Sequence, residues 1–272
     1  MTIISYDGPP SAPRSSGARE RYGLPQTLRA EFTKMRTLRS TWWSLLVMTV
    51  GMLGVTVLSV DNATHHPKDW YQGFDPTAQS LTGLAVGVLV IGVLGALAVS
   101  GEYGTGTIRS SLSATPCRGT FMTGKLLVVG MVALLAGEIL SFGCFGLGQL
   151  ILAHGGATWA NLGQPGVMRA VVGSGVCLAL LGLLGLGLGF AVRHTAGAIG
   201  AYVGVTLLLP LIVAQLPGHP TRFTPVGILA NSIAVVTRQP GQISPTLGFL
   251  LMALYSVAIL AVGGFVLARR DA

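Results

Sequence analysis

The sequence predicts an all-α polytopic membrane protein with six transmembrane helices, and three observations carry that reading. Only 10% of the 272 residues are charged and 51% are hydrophobic, whereas soluble domains carry about 25% charged residues. Several uncharged runs approach the roughly 20 residues that cross a hydrocarbon core of about 30 Å. The basic residues collect at the ends of these runs, where they meet anionic headgroups and set topology. The net charge of +8 therefore points to a membrane rather than to nucleic acid.

Residues 1–23 are rich in Pro, Ser, Gly and Arg, a composition that predicts a disordered tail. They lack the apolar core of a signal peptide, so the first apolar run is expected to remain as a span. Residues 24–272 then form one six-span domain. Pro25 suits the first turn of a helix. Leu28, Phe32, Met35 and Leu38 recur at helical spacing among Arg29, Lys34, Arg36 and Arg39. This predicts an N-terminal amphipathic interfacial helix over 25–40, apolar side toward lipid, with a solvated extension of the first span as the alternative. Trp42 and Trp43 mark the interfacial belt.

Spans are expected at 42–60, 81–99, 126–152, 170–192, 196–216 and 247–267. The third is long and contains Glu138, which suggests a tilt, kink or break. Spans four and five are separated only by Arg193-His194-Thr195 and form a tight hairpin. Pro210 is expected to kink span five just before it. Residues 217–246 are too long and too apolar for a structureless loop, since Val226, Ile228, Leu229, Ile233, Val235 and Val236 fall in their middle. Short interfacial or re-entrant helices are expected there. Glycine pairs at 83/87, 185/189 and 200/204 have the spacing that lets helix backbones approach, chiefly within the chain.

With the amino terminus inside, thirteen Lys and Arg residues fall on the inner side and four on the outer side. Both termini are then cytoplasmic, as is the polar segment 100–119 between spans two and three.

Candidate chemistry is sparse. Gly119 to Leu126 matches G-x-x-x-x-G-K, but Leu126 replaces the hydroxyl residue that ligates magnesium, and a span follows instead of a soluble α/β unit. ATP hydrolysis by this chain is not expected. Asp61, His65, His66 and Asp69 share a loop without clear metal spacing. The three cysteines, Cys117, Cys144 and Cys177, show no paired spacing. No nucleophile–base arrangement appears, so the chain is expected not to be an enzyme and to hold no metal or cofactor. Glu138, with Ser141 and Gln149 near its helical face, forms a polar stripe inside an apolar run. The stripe fits a translocation path, or a structural carboxyl satisfied by a neighbouring helix.

The segment 100–119 carries the most information. Glu102 stands where span two ends, Gly104 and Gly106 allow a sharp turn, and Thr107 is a suitable N-cap. Ile108 and Leu112 share a helical face, Arg109 and Arg118 flank it, and Pro116 stops it. The pattern predicts a short amphipathic helix that presents two apolar knobs and cations to a cytoplasmic partner, or a lipid-bound reversal loop.

The run Glu102-Tyr-Gly-Thr-Gly-Thr-Ile-Arg-Ser-Ser-Leu112, followed by Pro116 and Arg118, resembles the cytoplasmic loop of type 2 ATP-binding-cassette (ABC) exporter permeases. The layout of interfacial helix, six spans and apolar outer loop resembles that family across nearly the whole chain. The resemblance implies that 100–119 holds a coupling helix docking on a separate ABC ATPase subunit, which supplies ATP and magnesium. It implies a coupling role for Glu102, Gly106, Thr107, Ile108, Arg109, Leu112, Pro116 and Arg118. It also implies a second permease copy or related permease, residence in a bacterial plasma membrane, and ATP-driven efflux. The apolar spans favour an amphipathic substrate such as a drug, peptide or lipid. A membrane anchor or sensory partner that recruits an ATPase without transporting is the alternative.

Overall fold

The computed structural model describes residues 23–65, 73–115, 117–218, 220–236 and 243–269, and every regular element among them is helical. The tail to residue 22, His66, Asp69, Pro116 and His219 lie outside the described residues. Six helices are long and apolar enough to cross a membrane: α2 (Arg39–His65), α4 (Leu84–Thr105), α6 (Arg118–His154), α7 (Val167–Val192), the composite Thr195–Val213 and α11 (Pro245–Arg269). Each corresponds to one expected span. Most run past the apolar stretch, because helices continue into the polar zone at either face. α6 is the extreme case, an unbroken 37-residue helix, so Glu138 causes no break. The shorter elements are α1 (Leu24–Thr37), α3 (Pro76–Ser80), α5 (Ile108–Ala114) and α10 (Pro225–Ile233).

α7 is the hub. It is the most enclosed span, with 72% of its apolar window buried, and it packs on α4, α6 and α11. Its glycines make that possible. A side chain on Gly185 would run into the backbone of Gly92, and one on Gly95 into the carbonyl of Gly182. The α4–α7 contact is thus backbone against backbone, the close approach that small residues permit in lipid. Gly92 also leaves room for the ring of Tyr202, which is fully buried and donates to the Val88 carbonyl at 2.6 Å. By contrast, Gly200 and Gly204 face open space.

The fifth span is composite. α8 (Thr195–Val203) passes through a π-helical turn (Gly204–Leu208) into α9 (Leu209–Val213). Pro210 has no N–H for the ladder, and the widened turn sits immediately before it, where the irregularity was expected. Between α9 and α11 the chain dips back into the bundle. A 3₁₀ turn (Pro220–Phe223) reaches Tyr255, whose hydroxyl donates to the Phe223 carbonyl at 3.1 Å, and α10 then climbs toward the bundle end. Short helices, expected there as interfacial or re-entrant, are thus present, and α10 packs on α7 and α11.

Contacts at the two ends of the bundle differ. At one end, Asp75 caps α3 by accepting from Thr77 and Ala78, and its other oxygen accepts from the amides of Val235 and Val236 at 2.6 and 2.8 Å. Arg169 donates to the carbonyls of Ser232 and Ala234 beside it. At the other end, Arg118 donates to the carbonyls of Leu267 and Ala268, and Arg193 to that of Val266. Two guanidinium groups therefore close the last turn of α11, where the helix dipole favours cations. This second end, which also carries α1 and α5, is called the basic end below.

The glycine contacts are directly testable. Gly185→Val should lower thermal stability in detergent by about 1–3 kcal/mol through overpacking, whereas Gly200→Ala should change it by less than about 0.5 kcal/mol. Equal effects would mean that α4 and α7 do not meet backbone to backbone.

Candidate coupling site at the basic end

α4 terminates at Gly106, which adopts a left-handed conformation with φ +72° that a side chain would strain. The chain turns there and enters α5. Thr107 precedes the helix with helical dihedrals and makes no side-chain cap. Its hydroxyl instead meets that of Thr105 at 2.9 Å. The expected N-cap is therefore replaced by a hydroxyl pair across the turn.

The apolar face of α5 points inward. Ile108 is 3% exposed and packs with Met35 of α1 and Phe121 of α6, and Leu112 is half-buried against the same cluster. The expected presentation of two apolar knobs to a partner is corrected accordingly. A seven-residue helix cannot hold itself together in isolation, and these two side chains tie it to the body of the protein. The outward face carries Gly106, Thr107, Arg109, Ser110 and Ser113, all exposed.

Beneath α5 lies a cluster of four charges. Lys125 of α6 is 2% exposed and Glu31 of α1 is 4% exposed. The Lys125 ammonium donates to Glu31 Oε2 at 2.7 Å, to Glu102 Oε1 at 2.7 Å and to the Ala98 carbonyl at 3.0 Å. The Lys34 ammonium donates to Glu31 Oε1 at 2.7 Å, to Glu102 Oε1 at 3.0 Å and to Ser111 Oγ at 3.0 Å. Both ammonium groups also lie over the face of Phe121, at 5.9 and 5.3 Å from its centroid. One network thus joins α1, α4, α5 and α6 and balances two positive charges against two negative ones.

Local sequence explains how these groups meet. Gly124 lets α1 approach α6 closely, because a side chain there would press on Thr27 at 2.6 Å. The lysine that completes the G-x-x-x-x-G-K pattern is consequently one helical position past a packing glycine and deep in an ion-pair cluster. The buried face of α1 runs through Thr27, Glu31 and Met35, while Phe32 and Leu38, expected on one apolar side with Met35, are 54% and 49% exposed. Sequence reasoning missed Glu31, Lys34 and Lys125 as members of a site. The available signal was Glu31, a carboxylate set among Leu28, Phe32 and Met35 at helical spacing.

The other candidate residues lie elsewhere. Ser141 is buried and accepts from the Ser174 hydroxyl of α7 at 3.0 Å. Gln149 is buried near the opposite end, where it donates to the Pro76 carbonyl and Ser80 hydroxyl and accepts from Ala160 N–H at 2.6 Å. Glu138 is half-buried, lies over Gly175 of α7 in the space a side chain would fill, and has no hydrogen-bond partner among the described residues. Glu138 and Ser141 thus meet adjacent positions of α7, and Gln149 is engaged by α3 and Ala160. Arg118 is bound to the end of α11, away from the exposed face of α5.

Burial alone would lower the pKa of Lys34, but the hydrogen bond and charge of Glu31, joined by those of Glu102, outweigh it and hold the ammonium above its ordinary value of 10.5. A cation stabilised by folding contributes stability that is fully present below its ordinary value and is lost as pH rises through the folded value. Wild-type protein should therefore lose a component of stability only above pH 10.5, and Lys34→Met should lack that component. Lys125→Ala leaves buried carboxylates without their inner partner and should destabilise by about 3–5 kcal/mol, read by thermal unfolding in detergent. A loss below about 1 kcal/mol, the size of an exposed pair, would mean the cluster is hydrated rather than buried.

Residues 27–203 match the sequence family described as ABC-2 family transporter protein. Against curated proteins the sequence has no match. The matched region spans α1, the four-charge cluster, α5 and the first four spans, and it extends into the fifth. The chain belongs to the ABC-2 family of transporter proteins and is a multi-pass membrane permease subunit of an ABC transporter.

Proposed function

We propose that this permease subunit exports an amphipathic substrate, driven by a separate ABC ATPase that docks on the outward face of α5. The observation that carries this reading is the position of α5. It is anchored by Ile108 and Leu112, presents Arg109, Ser110 and Ser113, and is joined through Lys34 to the charge cluster. A push on that face meets a helix that cannot move independently. Displacement passes through Ser111 and Lys34 to α1, and through Glu102 and Lys125 to the last turn of α4 and the third turn of α6.

The charge asymmetry of thirteen against four supports a cytoplasmic basic end, where an ATPase would be available. Two copies, or one copy with a related permease, would pair with two ATPase subunits in a bacterial plasma membrane. Nucleotide and magnesium would reside on those subunits. Lysine 125 supports this division of labour, since all three of its protons are engaged inside the permease. Directed transport then requires the substrate to bind the inward-facing and outward-facing states differently. The apolar spans and few internal charges support an amphipathic cargo.

Because Ile108 is buried, its substitution tests folding; Arg109 tests docking. Arg109→Glu should reduce co-purification of the co-expressed ATPase at least about tenfold, as for a reversed interfacial charge, while the permease remains monodisperse. Full ATPase binding and unchanged export by reconstituted vesicles would overturn the docking assignment.

A further inference from the structure

We infer that Arg193 and Tyr103 are positioning residues that carry the docking of the ATPase from α5 to spans the charge cluster does not reach. The inference deepens the export reading above and rests on its docking step. The hydrogen bonds of the cluster stay within α1, α4, α5 and α6. The ends of α7, α8 and α11 are joined to the same turn by a different device, the hairpin Arg193-His194-Thr195. Thr195 donates its hydroxyl to the Ser100 carbonyl of α4 at 3.3 Å. The Arg193 guanidinium lies over the ring of Tyr103, 5.3 Å from its centroid, and donates to the Val266 carbonyl of α11 at 2.7 Å. Tyr103 stands in the last turn of α4, and its carbonyl accepts from the amide of Gly106, where the chain turns into α5. One stacked pair therefore connects the turn before α5 with the end of α7, the hairpin into α8 and the last turn of α11.

The backbone shows that the Arg193 side chain is what this position requires. Arg193 ends α7 with φ +59°, and its N–H donates to the Gly189 carbonyl at 3.1 Å. Glycine ends a helix in this left-handed conformation without steric cost. Among the described residues every other positive φ belongs to a glycine. An arginine here strains the backbone, and strain of this kind persists where the surrounding structure holds the residue in place. The guanidinium is held on two sides, by an aromatic face and a helix-end carbonyl. Its planar shape suits both contacts at once, which an ammonium does not. On the other partner the ring is the working part, because the Tyr103 hydroxyl is buried without a hydrogen-bond partner among the described residues. Movement of the α4 end shifts the ring beneath a guanidinium that is fixed to α11. The displacement then reaches α7, α8 and α11 together.

The test measures backbone hydrogen exchange of the full chain in nanodiscs, with and without the co-expressed ATPase. Docking should slow exchange in α5, residues 108–114. Arg118 also reaches α11, so transmission is read at the start of α8, residues 197–201. There the ATPase should change the exchange rate by at least about threefold. Tyr103→Leu removes the ring and leaves the hairpin sequence unchanged. It should keep the protection of α5 and lose the change at α8. Arg193→Gly should do the same while relieving the backbone, so its unfolding temperature in detergent should stay within about 4 °C of wild type. Tyr103→Phe keeps the ring and should retain both changes. A contact that serves stability alone would lower the unfolding temperature of Tyr103→Leu without separating the two exchange readouts. Persistence of the α8 change in Tyr103→Leu or Arg193→Gly would overturn the inference, as would a wild type with α5 protected and α8 unaffected. Docking would stand in each of these cases. A wild-type α5 that the ATPase leaves unprotected would overturn the docking reading, and this inference with it.

Discussion

The basic end of this protein depends on two lysines whose protons are fully assigned. Lys125 and Lys34 share both carboxylates of the cluster, and the remaining proton of each goes to a neighbouring helix, at Ala98 and Ser111. Ions taken from water into such a place are costly unless each finds several partners at good distance. Here all the ion pairs are 3.0 Å or shorter. Any motion that separated α1 from the spans would strand a charge, and moving α5 away would leave a Lys34 proton without its Ser111 acceptor. The four helices are therefore held as one unit, and the apolar contacts of Ile108, Leu112, Met35 and Phe121 surround it. Such rigidity is what a helix must have to pass a force from its exposed face into membrane spans.

The rest of the bundle is held by a different kind of contact. Through its middle, α7 meets α4 at glycines, where backbones touch and no large side chain can intervene. At the end opposite the cluster, Asp75, Gln149 and Arg169 tie α3, α6, α7 and α10 together through backbone carbonyls and amides. Close packing, in place of a hydrophobic driving force, associates helices in lipid. Charged anchoring is thus concentrated at the ends, while the middle carries neutral contacts such as Tyr202 to Val88 and Ser174 to Ser141, apart from Glu138. That carboxyl is the exception to the pattern, since it lies at the margin between α6 and α7 with no partner among the described residues.

The architecture was legible because its signals are local and additive. Uncharged runs, interfacial tryptophans, Pro210 and the apolar residues around Ile228 each act within a few turns of helix. The short helix α10 and the irregular fifth span followed from them. The site was legible only in part. Segment 100–119 identified α5 and its turn, yet the orientation of α5 depends on Met35 and Phe121, one distant in sequence and both unremarkable within their own segments. Lys125 was drawn into a nucleotide-binding pattern because Gly119, Gly124 and Lys125 have that spacing. Its real partners stand 94 and 23 residues away. Glu31 is the instructive residue, because a carboxylate in an apolar stripe demands a buried cation and the sequence alone does not say which. Pairing between charges on separate helices is a tertiary property, and helical periodicity carries no record of it.

The central claim is that Glu31 and Lys125 are coupled partners rather than independent surface charges. A double-mutant cycle of Glu31→Gln and Lys125→Met, read by thermal unfolding of the full chain in detergent, measures that coupling directly. For residues within one buried network, an interaction energy of about 1.5–3 kcal/mol is expected, with the double variant markedly less destabilised than the sum of the singles. Additivity within about 0.5 kcal/mol would contradict the account, because it would mean that α1 and α6 are not joined through this pair.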